Sequence, residues 1–138
     1  MEKALTPIAR ILMAQIFLMA GLSKIGAYAG TQGYMDSMGV PGALLPLVIA
    51  LEVGGAIALI VGFQTRWVAL GLAGFSAISA VIFHANFADQ MQMIMFMKNW
   101  AIAGGLVMLA VHGAGHFSLD NRVKRSRGQN NDQLNATA

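Results

Sequence analysis

Five side chains in this sequence could do polar chemistry within otherwise apolar stretches. Glu52 sits in VIALEVGGAIAL, Lys24 in FLMAGLSKI, His84 in FHANFA, and Lys98 with Asn99 in FMKNWAIAGG. A carboxylate near ammonium groups makes an ion pair or a polar pocket. Lysine and asparagine donate hydrogen bonds to carbonyl oxygens, and histidine can pass a proton. One carboxylate against two lysines leaves a net positive site, so an anionic or carbonyl-bearing ligand fits better than a cation. A quinone head group suits that description. Glu52 and Lys24 would form the polar floor of its site, with Lys98, Asn99 and His84 lining the mouth.

Other chemistries are excluded or weakly supported. The chain has no cysteine, which removes disulfides, thiol chemistry and thiolate metal sites. His112 and His116 have the i, i+4 spacing of a helical metal pair, but Gly113 and Gly115 break the helix there. His84 belongs to the opposite end, so no two histidines can share a haem iron. Met91, Met93, Met95 and Met97 alternate, and alternate residues of a helix diverge rather than converge on a copper ion. They read as flexible apolar filler. No Ser/His/Asp triad, phosphate loop or carboxylate pair is present. The chain thus carries no catalytic motif of its own, no metal site and no intrinsic cofactor.

The elements that must position these residues follow from composition. Of 138 residues, 57% are hydrophobic and only 11% are charged, where a soluble domain has about 25% charged. A helix needs roughly 20 mostly apolar residues to cross about 30 Å of hydrocarbon. Four such spans are predicted, at about residues 8–27, 43–62, 67–86 and 93–112. The expected fold is all-α: an integral membrane four-helix bundle over residues 1–120, followed by a basic, disordered tail at 121–138. GTQGYMDSMGVPG and FADQMQ read as loops and FQTRW as a tight connection. Successive spans reverse direction, so each brings one ionisable group into the same half of the bundle. A charge at a helix centre costs about 2.5–3.5 kcal/mol on insertion scales. Lys24, Glu52, His84 and Lys98 are therefore expected to converge.

Charge placement predicts orientation. Lys3, Arg10, Arg66 and the tail cations Arg122, Lys124, Arg125 and Arg127 fall on one side of the bundle. By the positive-inside rule both termini are cytoplasmic, and Arg66 is a topology anchor. The tail could also rest on anionic lipid. It has no fold to present it to nucleic acid. Lys3, Arg10 and the later AYAG resemble a cleavable signal peptide, but the apolar stretch between them exceeds the usual 7–15 residues or so.

Six segments in order carry a family resemblance: FLMAGLSKI, MGVPG, LEVGGAIALIVGFQTRWVAL, FHANFA, FMKNWAIAGGLVMLA and GAGHFSLD. Together they resemble the DoxX family of small bacterial inner-membrane proteins. That resemblance implies a four-helix, multi-pass protein of the inner membrane. Some members are subunits linked to thiosulfate:quinone oxidoreduction or to quinol oxidase complexes, and others associate with redox-stress proteins. The expected function is a subunit serving a quinone-linked redox system, with partner subunits or a bound quinone carrying the electrons. The competing expectations are a non-enzymatic scaffold or assembly factor with a structural ion pair, and a small transporter working as a homo-oligomer.

Overall fold

The computed structural model describes residues 1–137 and contains helices with no strand among them. Six helices follow in order: α1 (Glu2–Gly26), α2 (Tyr28–Ser37), α3 (Gly42–Val61), α4 (Thr65–Phe83), α5 (Gln90–His112) and α6 (Leu119–Ala136). Of these, α1, α3, α4 and α5 are long and apolar enough to cross a membrane. Their bounds lie within six residues of the expected spans.

Large apolar side chains cover the outside of these helices. Leu12, Met19, Leu47, Ile78, Met108 and Val111 are all more than half exposed. Water would not tolerate that much apolar patch on a monomer, whereas lipid does. The interior is built instead from small residues and a few leucines. Ala14, Ala56, Ala69, Ala73, Ala103 and Ala110 pack with Phe17, Leu59, Leu72, Leu106 and Leu109. Small side chains let helix backbones come close, which gains dispersion contacts where no hydrophobic effect separates helix from lipid.

Two segments differ from expectation. The stretch after Ala27 is not a loop but mostly α2. Its Asp36 Oδ1 accepts from the Gly42 N–H at 2.7 Å, and Gln32 Nε2 donates to the Gly42 carbonyl at 3.2 Å. These bonds pin α2 across the start of α3. Gly42 leaves room for them, since a Cβ there would lie 3.0 Å from the Gln32 carbonyl oxygen. The tail, expected to be disordered, is helical from Leu119 to Ala136. Ser118 Oγ caps it by accepting from the Asn121 N–H, and Asp120 stands in its first turn. Scarcity of apolar residues argued for disorder, but a good cap and a polar helix need no apolar face. None of its residues is buried.

The end of the bundle that holds both termini is fastened by Arg10 and Asp120. Arg10 is 2% exposed, and its Nη2 donates to the Phe117 carbonyl. Asp120 accepts from the Gln64 N–H at 2.8 Å and the Thr65 N–H at 2.9 Å, capping α4. Its own N–H donates to the Gly62 carbonyl at 2.9 Å. Arg10 is therefore not a surface topology cation but a buried tie between α1 and the 113–118 connection. Gly62 makes the tie fit. It has φ +73°, and a Cβ there would collide with Arg10 Nη1 and Ser118 Cβ. Gly62→Ala should cost about 1–3 kcal/mol, seen as a lower unfolding midpoint in mild detergent. Gly71→Ala, where a Cβ meets nothing within 4 Å, should unfold at or above the wild-type midpoint. Equal midpoints for wild type and Gly62→Ala would disprove the tie.

Candidate functional site

At the other end of the bundle, α1 and α3 meet through one ion pair. Lys24 Nζ lies 3.0 Å from both Glu52 Oε1 and Glu52 Oε2. It donates a hydrogen bond to Oε1, while Oε2 is held by charge alone and has no hydrogen-bond donor among the described residues. Glu52 is 3% exposed and Lys24 is half-buried. Local sequence makes this contact possible. Gly21 precedes Lys24 by one turn of α1, and a Cβ there would come 2.6 Å from Val53 Cγ2 and 3.3 Å from Glu52 Cβ. Only glycine lets the two backbones approach so closely. Around Glu52 the helix widens into a π-type segment, Ala50–Gly54. Such widened turns frequently occur at functional sites. Gly55 and Ala56, one turn on, pack elsewhere: Gly55 faces the Leu72 side chain of α4.

A cleft of about 310 Å³ opens beside the pair. Lys24 and Glu52 contribute its charge, and Thr31, Tyr34, Ser79 and His84 its other polar groups. Val40, Val48, Phe75, Ile78, Ile82 and Phe83 form apolar walls. Tyr34 and Phe83 stack with ring centroids 5.5 Å apart, joining α2 to the end of α4. His84 is the residue that ends α4, and its Nδ1 lies 2.7 Å from Gln92 Oε1. A carbonyl oxygen only accepts, so this contact puts the hydrogen on Nδ1 and leaves Nε2 for another partner.

The cleft thus gathers three of the five expected residues: Lys24, Glu52 and His84. Lys98 and Asn99 do not join them. Lys98 is exposed and has no ion-pair partner among the described residues, and Asn99 Nδ2 donates back to the Met95 carbonyl at 3.1 Å. The physical reason is α2. It folds over the mouth of the cleft and supplies the wall that α5 was expected to supply. The charge balance changes with it. One lysine against one carboxylate is neutral, so the site suits a neutral carbonyl-bearing group rather than an anion. Sequence reasoning missed Thr31, Tyr34 and Ser79. The first two were hidden in a stretch read as loop, and hydroxyls within apolar helices carry little signal by themselves.

The remaining polar groups lie elsewhere. Arg66 is exposed at the start of α4, beside Gly113, at the end holding the termini. No group of three or more histidines, cysteines or carboxylates suited to a metal occurs among the described residues.

Four apolar crossings, two of them joined by a half-buried lysine and a buried glutamate, define a small integral membrane protein. Comparison with known proteins narrows the class. The DoxX family model matches residues 5–85. Inner membrane protein YqjF of Escherichia coli (strain K12) is 52% identical over 118 residues, covering 86% of this chain and 91% of YqjF. Inner membrane protein YphA of the same organism is 39% identical over 122 residues, covering 83% of this chain and 87% of YphA. No solved structure matches. The chain belongs to the DoxX family, and it is a multi-pass protein of the bacterial inner membrane.

Removing one partner of a buried pair strands the other charge. Lys24→Leu should therefore lose about 3 kcal/mol of stability in detergent. Adding Glu52→Leu should restore most of it. A single variant as stable as the wild type would show that the pair does not hold α1 to α3.

Proposed function

We propose that the cleft beside Lys24 and Glu52 binds the head group of a quinone-like ligand, and that the chain serves a quinone-linked redox system as a membrane subunit. The observation that carries this reading is the Lys24–Glu52 pair in the wall of the cleft. It places a half-buried ammonium donor at a hollow whose other walls are largely apolar. Small-molecule sites pair such walls with a few placed polar groups, in volumes from about 300 Å³ upward. The residues fit a planar ring bearing carbonyls. Lys24 can donate to a carbonyl oxygen, and the stacked Tyr34 and Phe83 offer an aromatic wall. His84 stands where a proton could pass between the cleft and the polar 84–92 connection.

A bound quinone would supply two-electron chemistry that this cysteine-free chain lacks. The chain's own residues would bind and orient the ring and hold or move protons, while a partner subunit delivers or removes electrons. Both termini would face the cytoplasm, since Lys3, Arg66 and the tail cations gather at their end of the bundle.

One observation favours a second reading. Both carboxylate oxygens already lie at 3.0 Å from Lys24, as they would in a purely structural tie within a scaffold or assembly factor. The two readings part at Glu52→Gln. The amide keeps a hydrogen-bonding side chain but loses the charge. Quinone should copurify with the wild type in mild detergent, and a short-chain benzoquinone or naphthoquinone should bind it. Both should fall at least about tenfold in Glu52→Gln and in His84→Ala while the folded fraction stays near normal. A wild-type preparation that carries no quinone and binds neither probe would sink the ligand reading.

A further inference from the structure

At the end opposite the Glu52 cleft, a second hollow of about 600 Å³ lies between the start of α4, the 112–118 connection and α6. Arg66, Lys124 and Arg127 line it. None of the three has an ion-pair partner among the described residues. Asp120 also lines it, but both of its oxygens are taken by the Gln64 and Thr65 N–H groups. Three cations thus face one carboxylate that is already committed. Arg66 is held in place by shape as well: its Nε would stand 3.3 Å from a Cβ at Gly113, so glycine there lets the guanidinium lie close to the backbone.

The neighbours of the hollow fix its depth. Trp67 is 75% exposed and Phe63 is 51% exposed, and both line it. Exposed tryptophan at the end of an apolar crossing marks the membrane–water boundary. At that level the abundant anion is a phosphodiester carried on acyl chains. Basic pockets at helix ends bind such head groups, and Arg in particular matches phosphate oxygens through paired donors.

We propose that this hollow is a binding site for the phosphate of an anionic phospholipid, held by Arg66, Lys124 and Arg127. The acyl chains would run down the lipid-facing side of Trp67. The assignment makes α6 an element set by lipid as well as by its cap, since two of the three cations belong to it. Arg122 and Arg125, also on α6, line a separate hollow with Val61 and Phe117, which supplies an internal control equal in charge to the pair Lys124 and Arg127.

Native mass spectrometry of the full chain in mild detergent tests this, with phosphatidylglycerol titrated against phosphatidylcholine. The wild type should retain phosphatidylglycerol preferentially. The combined variant Arg66→Gln, Lys124→Gln, Arg127→Gln should lose about a hundredfold in that affinity, and the pair Lys124→Gln, Arg127→Gln about twenty-fivefold, at roughly fivefold per cation. The pair Arg122→Gln, Arg125→Gln should change it little. Equal losses in the two pairs would mean diffuse attraction by a basic tail and would overturn the site, as would a wild type with no lipid preference. Inorganic phosphate that competes at low millimolar concentration would reassign the hollow to a free anion. Should the combined variant unfold, Lys124→Gln alone, exposed on α6, should still lose roughly fivefold with helical content unchanged. No loss there would refute the proposal.

Discussion

The ion pair between Lys24 and Glu52 is the constraint around which this end of the bundle is arranged. Hydrocarbon does not tolerate a lone carboxylate, so Glu52 must find a cation, and Lys24 is the one that reaches it. That requirement brings α1 against α3, and the approach in turn requires Gly21. The widened turn at Ala50–Gly54 surrounds the same carboxylate. α2 then closes over the pair and stacks Tyr34 on Phe83. A charge in the wrong solvent thus determines helix spacing, a small-residue position and the walls of a cleft.

The opposite end solves a related problem by different means. There Arg10 is buried without a carboxylate ion-pair partner among the described residues and is held by a backbone carbonyl. Asp120, nearby in the chain's last connection, spends its oxygens on backbone N–H groups of α4. Charge-assisted bonds to backbone lock loops in place without needing a facing side chain. One end is therefore a side-chain pair beside a cleft, and the other a set of side-chain-to-backbone ties around tight glycine turns. Among the described residues only the first leaves a buried carboxylate oxygen without a hydrogen-bond donor next to a mostly apolar hollow.

Much of the fold was legible because hydrocarbon imposes a simple length and composition rule. Four apolar runs of about 20 residues can hardly be anything else. The Lys24–Glu52 pair was legible for the same reason, since intramembrane charges must pair. Lys98 and Asn99 were misplaced because depth alone does not say which way a side chain faces. A long lysine can keep its head group exposed while its stem lies on apolar surface. α2 was missed because glycine and polar residues between two spans read as loop, while its hold on α3 comes from Asp36 and Gln32 reaching Gly42, a tertiary contact. Arg10 was read as one more surface cation, since nothing local shows that the carbonyl it binds lies 107 residues away.

That separation sets an order of assembly. Lys24 and Glu52 are 28 residues apart, so their bond can form once the second crossing has entered the bilayer. Arg10 must wait for Phe117, which leaves the ribosome several seconds later at about 5–20 residues per second. Until then the first crossing carries a guanidinium without this acceptor. The tie between the first helix and the connection after the fourth crossing is therefore thrown late, once all four crossings have been made.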